Sequence, residues 1–130
     1  MSKPVPLSTR AAVANKVVLE NTLAAHHPDL PPVLSTPYMI AWMETACFLA
    51  LQEFCEGDEI TVGTAIHVEH RAPSPLGSTV TATAELERVE GRFYIMRVTA
   101  RDQKQEIGSG TVSRAFVSVS KFMQKTASQV

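Results

Sequence analysis

Three side chains in this 130-residue chain have the types that acyl-transfer chemistry needs: the hydroxyl of Thr36, the carboxylate of Glu44 and the imidazole of His70. An imidazole takes a proton from a hydroxyl or from water, and a carboxylate orients, activates or attacks. Each residue also has a structural interpretation. Thr36 suits a helix N-cap, Glu44 a buried acid bonded to the main chain or to Arg114, and His70 a hydrogen-bonded histidine at a strand end. Residue types and spacing leave both interpretations open.

Glu44 lies in a predicted helix over residues 36–56. Pro37 suits its first turn, and Gly57 suits its end. Residues 38–51 are apolar nearly all round, which is typical of a helix buried on all sides. The apolar run is shorter than the ~18–20 residues that span a bilayer, so we expect the burial to be inside protein. A lone carboxylate at the centre of such a helix is costly unless it is hydrogen-bonded, paired or protonated.

Helical geometry separates two of the three candidate residues. If 36–44 is all helix, Thr36 and Glu44 lie about 12 Å apart along the helix axis. They then meet one substrate from different sides or across a subunit boundary. The remaining possibility is that Thr36 precedes the helix.

The rest of the chain alternates with the period of a β-sheet. In the first long stretch, Ile60, Val62 and His70 belong to the apolar face and His67 to the other, so His70 is expected to face inward and His67 outward. In the last stretch, Arg114 shares its face with small or apolar residues. Prolines make residues 24–35 a loop that enters the helix. The predicted strands are 12–20, 60–70, 78–89, 92–101 and 106–120.

This order of elements predicts an α+β fold in which an antiparallel sheet wraps one long helix. The short turns predict that consecutive strands run antiparallel. The sheet covers one side of the helix, and a second subunit is the natural cover for the other side, so we expect a homodimer. The length predicts one domain over residues 1–130, with residues 1–10 as a loosely held arm.

Composition excludes several classes of partner. The chain has 12 basic and 13 acidic residues mixed along its length, and neither nucleic acid nor an anionic membrane binds well without a basic patch. No secretory leader is visible, and no Cys/His cluster has metal-ligand spacing. Cys47 and Cys55 lie too far apart on the helix to bridge each other, so two reduced thiols in a cytoplasmic protein are expected, with an intermolecular disulfide as the alternative.

Several separated blocks of the sequence form a recognisable set. They include Thr36, Met43-Glu44, Ala46-Cys47, Gly63-Thr64-Ala65-Ile66, His70, Thr83-Ala84-Glu85-Leu86, Val89-Glu90-Gly91-Arg92, Glu106-Ile107-Gly108-Ser109-Gly110-Thr111 and Arg114-Ala115. In these blocks the chain resembles the fluoroacetyl-CoA thioesterase-like family of hotdog-fold proteins. The resemblance covers residues 30–122 and keeps the order and the gaps of the blocks. It implies a hotdog fold, a dimer or a dimer of dimers, and sites at the subunit interface.

The resemblance also implies roles for individual residues. Thr36, Glu44 and His70 match the family's catalytic threonine, glutamate and histidine. Substrate-contacting positions of the family match Gly63, Arg114 and Leu30. A glycine lets a thioester approach the main chain, and an arginine suits a carbonyl or phosphate. Leu30 stands where fluoroacetyl-specific members carry an aromatic residue.

The expected activity is therefore hydrolysis of a small acyl-CoA thioester to a carboxylate and free CoA, with no cofactor because CoA is part of the substrate. A non-catalytic hotdog protein that binds acyl-CoA or another small ligand is the alternative, and it has no need of all three catalytic residues. A hotdog enoyl-CoA hydratase is a further alternative. It normally carries an Asp/His pair after the helix, which this chain lacks.

Overall fold

The computed structural model describes residues 3–129. A short first strand and two turns of 3₁₀ helix precede the long helix, four strands follow it, and a short helix ends the described chain. No helix within residues 3–129 is long and apolar enough to cross a membrane. The elements are β1 (Arg10–Lys16), 3₁₀ turns at Leu19–Asn21 and Leu23–Ala25, α1 (Thr36–Gln52), β2 (Glu59–His70), β3 (Thr79–Glu90), β4 (Phe93–Arg101), β5 (Glu106–Ser118) and α2 (Val119–Gln124).

The five strands form one antiparallel sheet in the order β1-β3-β4-β5-β2. Consecutive strands after α1 run antiparallel as predicted, including β2 and β3, but these two are not neighbours and lie on opposite sides of the β4–β5 pair. The chain leaves β2 along β5, where the N–H groups of Arg71 and Ala72 both donate to the carbonyl of Ile107. Pro73 and Pro75 then carry it across instead of closing a hairpin.

Helix α1 packs against the sheet, as predicted for the hotdog fold. Its core-facing side is fully buried and contributes Met39, Met43, Ala46, Cys47, Ala50 and Leu51. The opposite side is not buried in a single chain, because Ala41 and Thr45 are exposed and Leu49 is 41% exposed. The expectation of burial on all sides is therefore unmet within one subunit, and cover from a second subunit stays a prediction.

Helix α1 ends earlier than predicted. The last helical residue is Gln52, and Gly57 lies in the turn beyond it at φ +59°. The hydrogen bonds beyond Gln52 are of the 3₁₀ type, because the N–H of Phe54 bonds to the carbonyl of Leu51 and the N–H of Cys55 bonds to that of Gln52. These three-residue spacings are typical of a frayed helix end.

Two predicted strands also end early because polar side chains redirect the main chain. The first strand ends at Lys16 rather than residue 20, where the Asn21 side chain accepts the N–H of Val18 and a 3₁₀ turn begins. The last strand ends at Ser118 rather than residue 120, since the Asp58 carboxylate accepts the N–H of Ser120 at 2.9 Å and α2 begins.

Main-chain hydrogen bonds to β3 and to the turn after α1 anchor the predicted N-terminal arm. Residues 1 and 2 of that arm lie outside the described residues. Within it, the N–H of Lys3 donates to the carbonyl of Phe54 and the N–H of Ser8 donates to that of Leu86. Residues 3–9 therefore follow the sheet and the end of α1.

A register shift between Gly63 and Ala65 reverses the alternation of β2. Before the shift, Thr61 is the buried residue and Gly63 faces α1; after it, Val68 packs on the core and His70 reaches α1. The prediction that Ile60 and Val62 share a face with His70 was therefore wrong. An extra residue in one strand changes which side chains point inward beyond it.

Candidate active site

Thr36 and His70 meet where the start of α1 touches the end of β2. The Thr36 Oγ1 lies 2.8 Å from His70 Nδ1, a normal hydrogen-bond distance. Thr36 is the first residue of the helix, and the N-cap position belongs to Ser35, whose side chain makes no capping bond. The Thr36 hydroxyl is therefore directed to the imidazole instead of capping the helix.

Burial lowers the pKa of His70 below its ordinary value of 6.5, and the main chain of Ala72 acts more weakly in the opposite direction. The imidazole is thus neutral at pH 7. With its proton on Nε2, the Nδ1 atom accepts the Thr36 hydroxyl proton, which is the arrangement of a general base with its hydroxyl. His70 Nε2 is buried and has no hydrogen-bond partner among the described residues.

Glu44 lies further along α1 and points to the middle of β2. Its Oε2 accepts a hydrogen bond of 3.2 Å from Nη1 of Arg114. An ideal Cβ built on Gly63 would lie 2.9 Å from the same oxygen. Glu44 and Gly63 line an open cleft of about 310 Å³, together with Thr64, Ala65 and Ile66 on the edge strand.

Arg114 is held deep beside this cleft and is only 5% exposed. Its Nη2 donates to the carbonyl of Thr61 at 2.8 Å and to the Thr61 hydroxyl at 3.1 Å. Burial lowers the pKa of Arg114, while Cys47 and Glu44 act in the opposite direction. Burial also raises the pKa of the Cys47 thiol to about 12, so this thiol stays protonated. Sequence reasoning missed Thr61, because the alternation placed it on the outer face.

The three candidate catalytic residues form two groups within one chain. Thr36 and His70 are hydrogen-bonded to each other, and Glu44 is grouped with Gly63 and Arg114. Both Thr36 and Glu44 are helical, so the two groups lie about 12 Å apart along α1. This geometry removes the possibility that Thr36 precedes the helix. A common substrate must therefore be reached from different sides or across a subunit boundary.

A second cleft, of about 240 Å³, opens beside the Thr36–His70 pair. Leu30, which the sequence suggested as a substrate contact, is 42% exposed and is not among the residues that line it. Val33 and Leu34 of this cleft belong to the loop 24–35, which its position before the helix makes a natural pocket wall, whereas no motif marks the other apolar wall residues. The lining residues are Leu23, Val33, Leu34, Thr36, His70, Arg71, Ala72 and Pro73.

His67 is exposed on the outer face of the sheet, away from the Thr36–His70 pair, as the alternation after the register shift requires. It lines a separate cleft of about 420 Å³ with Arg88 and Phe93 among others. Among residues 3–129, no cluster of three or more His, Cys, Asp or Glu side chains is placed to hold a metal ion.

Comparisons of the sequence and of the structure with known proteins find thioesterases in each case. A sequence model of the fluoroacetyl-CoA-specific thioesterases matches residues 17–120. A fluoroacetyl-CoA thioesterase of Streptantibioticus cattleyicolor is 47% identical over 97 residues, which are 75% of this chain and 70% of that protein. A mutant of FlK in complex with acetyl-CoA has a TM-score of 0.89 at 37% identity, over 97% of this chain and 99% of that one. A thioesterase superfamily member from Thermus thermophilus has a TM-score of 0.87 at 26% identity, over 94% and 90% of the two chains.

Proposed function

Because the chain belongs to the fluoroacetyl-CoA-specific thioesterase family, we propose that it hydrolyses a small acyl-CoA with Thr36, Glu44 and His70. The products are a carboxylate and free CoA, and the reaction uses no cofactor. That the chain is an acyl-CoA thioester hydrolase follows from its family. The observation that supports the catalytic residues is the 2.8 Å hydrogen bond between Thr36 and a neutral, half-buried His70.

His70 is positioned to accept a proton in this reaction. It takes the proton of the Thr36 hydroxyl, or of a water in its place, as that oxygen bonds to the acyl carbon, and it returns the proton to the CoA sulfur as the C–S bond breaks. Glu44 supplies the carboxylate, either as the attacking group or as the base for water. Where Thr36 or Glu44 attacks, water hydrolyses the resulting acyl-enzyme in a second step and frees the carboxylate. Arg114 is committed to Thr61 and Glu44, so we expect it to act on the substrate by holding the Glu44 carboxylate in place.

A second subunit brings the two groups of residues together in this proposal. Strand β2 pairs only with β5 among the described residues, and its stretch 63–67 is exposed. An edge strand of this kind is a template for pairing with another chain. We propose that two β2 strands pair antiparallel about a two-fold axis near Ile66 and His67, the register that sets His70 of one subunit opposite Gly63 of the partner subunit.

The same pairing places the Thr36–His70 pair of one subunit across from the Glu44 that packs against Gly63 of the partner subunit. The missing side chain of Gly63 then leaves room for the thioester between the two groups. The enzyme in this proposal is a homodimer with two equivalent sites, each built from both subunits. A dimer of dimers keeps the same site.

Release of free thiol from a panel of acyl-CoAs tests the reaction. Thr36→Ala and Glu44→Gln are each expected to lose most of the activity. If the site is shared, mixed dimers of these two inactive variants regain about one quarter of wild-type activity, because half of the dimers are mixed and each has one intact site. No thiol release from any acyl-CoA would contradict the hydrolase, and no recovery on mixing would contradict the shared site.

A further inference from the structure

Gly63 and His70 both face α1, although they lie seven positions apart in β2. Gly63 packs against Glu44, and His70 bonds to Thr36. Successive side chains of a strand point to opposite sides of the sheet, so two residues seven apart in a regular strand lie on opposite faces. Both face α1 here because one residue between them is left out of the pairing with β5. The geometry of the proposed active site therefore depends on that one residue.

The residue left out of the pairing is Thr64. Gly63 pairs with Arg114 of β5, and Ala65 pairs with Ser113. Since these two partners are adjacent in β5, Thr64 is the extra residue of a β-bulge, which we call the Thr64 bulge. A bulge bends its strand and re-aims the side chains beside it, and bulges are common next to active sites.

The apolar residues of β2 limit where the extra residue can lie. Ile66 pairs with the fully buried Val112, and Val68 packs on the core. An extra residue anywhere after Ile66 would leave that side chain on the outer face of the sheet, so the bulge belongs between Gly63 and Ile66. Within this short stretch, the hydroxyl of Thr64 supplies a side-chain bond that ties the main chain to β5.

This bond joins the bulge to the interior of the sheet. The Thr64 hydroxyl donates to Ser113 Oγ at 2.8 Å. Ser113 is only 9% exposed and lies between Ala65 on β2 and Ile95 on β4. A buried hydroxyl requires a hydrogen-bond partner, and the bulge residue is that partner. The irregular point of the edge strand is thus held to a fixed point of its neighbour.

We propose that Thr64 and Ser113 are positioning residues, whose hydrogen bond holds the Thr64 bulge in the shape that the active site needs. The bulge keeps Gly63 and His70 on the face that meets α1. The inference rests on the proposed function, and neither hydroxyl takes part in the hydrolysis. Ser113 lines neither the cleft of Glu44 nor the cleft beside His70, so it acts on the site through Thr64.

Ser113→Ala is the cleanest test, because it removes one end of the bond from outside both clefts. For the acyl-CoA that the wild type hydrolyses fastest in the thiol-release panel, kcat/KM is expected to fall about 5-fold, the factor that one typical neutral hydrogen bond is worth. Thr64→Val should lose the same factor. The double variant should lose no more than either single variant, because both changes remove one bond. Thr64→Ser keeps the hydroxyl and should keep most of the activity.

Deletion of Thr64 separates the active-site geometry from the stability of the fold. The deletion takes out the extra residue and leaves every pair between β2 and β5 as it is, so Tm is expected to change little. The strand loses its bend, however, and Gly63 moves relative to Glu44. We expect kcat/KM to fall about 100-fold, the loss for a misplacement of about 1 Å. Full activity of a folded deletion variant would overturn the role of the bulge.

The acid limb of the kcat/KM profile is a readout that a loss of stability alone does not move. Burial holds the pKa of His70 below 6.5. A loosened bulge in Ser113→Ala admits water to the imidazole, so the midpoint of the acid limb should move up toward 6.5. Thr83→Val is the matched control, since Thr83 lies on the same outer face in β3, away from the bulge. Its kcat/KM and its acid limb should equal those of the wild type.

The outcomes separate this inference from the proposed function. Wild-type kcat/KM in Ser113→Ala, or additive losses in the double variant, would overturn the positioning role and leave the thioesterase standing. Dissociation of a wild-type dimer in Ser113→Ala, measured by size-exclusion chromatography at the assay concentration, would also overturn it, because the pair would then act through the subunit interface. Absence of thiol release by the wild type from every acyl-CoA would overturn the proposed function and the inference with it.

Discussion

Gly63 and Glu44 fit each other across the boundary between β2 and α1. A Cβ on Gly63 would lie 2.9 Å from Glu44 Oε2 and 3.5 Å from Arg114 Nη1, closer to the carboxylate than real β-carbons approach. The glycine thus leaves the space in which the carboxylate lies. The helix and the edge strand together define the position of the Glu44 carboxylate.

Gly63→Ala is expected to lower kcat/KM about 100-fold with little change in Tm. The added methyl group displaces the end of a flexible side chain, which costs little stability. A misplacement of the Glu44 carboxylate by about 1 Å is enough to lower kcat/KM by that factor. Thiol-release kinetics and a thermal melt of the same preparation measure both effects.

Gly108→Ala is the matched comparison, since its Cβ would lie 2.6 Å from the carbonyl oxygen of Glu69 and 2.7 Å from Met39 Sδ. The main chain there cannot move as a side chain can, so Tm should fall clearly. Full activity in Gly63→Ala would show that the position of Glu44 does not matter.

Thr36→Val and Thr36→Ser separate the hydroxyl of Thr36 from its shape. Valine keeps the branched shape and removes the hydroxyl that bonds to His70. If the hydroxyl attacks or orients the acyl carbonyl, kcat falls about 10²- to 10⁴-fold in Thr36→Val, while Thr36→Ser keeps most of it. Equal activities in the two variants would assign Thr36 a purely structural role.

The sequence predicts the strands of the second half of the chain to within about one residue at most ends. Predicted strands at 60–70, 78–89 and 92–101 correspond to Glu59–His70, Thr79–Glu90 and Phe93–Arg101. The reason is local: Gly77 and Gly91 lie at φ +93° and +62° in the turns, which glycine adopts at low cost. Alternation and turn residues are both visible in a single sequence.

Long-range features of the site were not predictable in the same way. The register shift after Gly63 depends on the pairing of β2 with β5, and it is what puts Thr61 and His70 on the same face of the sheet. A glycine inside a strand is compatible with a bulge, but Gly63 by its residue type alone does not fix the pairing. Helical spacing did indicate that Thr36 and Glu44 are far apart, because that distance follows from 1.5 Å per residue alone.

Arg114→Lys is expected to destabilise the fold and lower the activity together. The guanidinium bonds to the Thr61 carbonyl, the Thr61 hydroxyl and Glu44 at once, and an ammonium group lacks that planar set of donors. Leaving the Thr61 carbonyl unsatisfied costs about 1–3 kcal/mol of unfolding free energy, which urea denaturation measures. Unchanged stability would show that these bonds are replaced by water.

The pH dependence of activity and of stability tests the protonation state of His70. Because burial lowers the pKa of His70, kcat/KM should stay level above pH 6.5 and fall in acid with a midpoint below 6.5, where the imidazole gains a proton and can no longer accept one from Thr36. The unfolded chain binds that proton more readily than the folded one. The contribution of His70 to the free energy of unfolding is therefore fully present above about pH 6.5, and it is lost as pH falls through the lower, folded-state pKa.

His70→Asn should remove this part of the acid destabilisation, which urea unfolding at a series of pH values measures. His26→Asn is the control, because His26 is exposed in the loop before α1 and lines neither cleft of the site, and it should leave both the kinetic profile and the stability profile unchanged. An acid limb in the kcat/KM profile of the wild type centred above pH 6.5 would contradict a buried, neutral His70. The same holds if stability falls in acid equally in His70→Asn and the wild type, because the titrating group would then lie elsewhere.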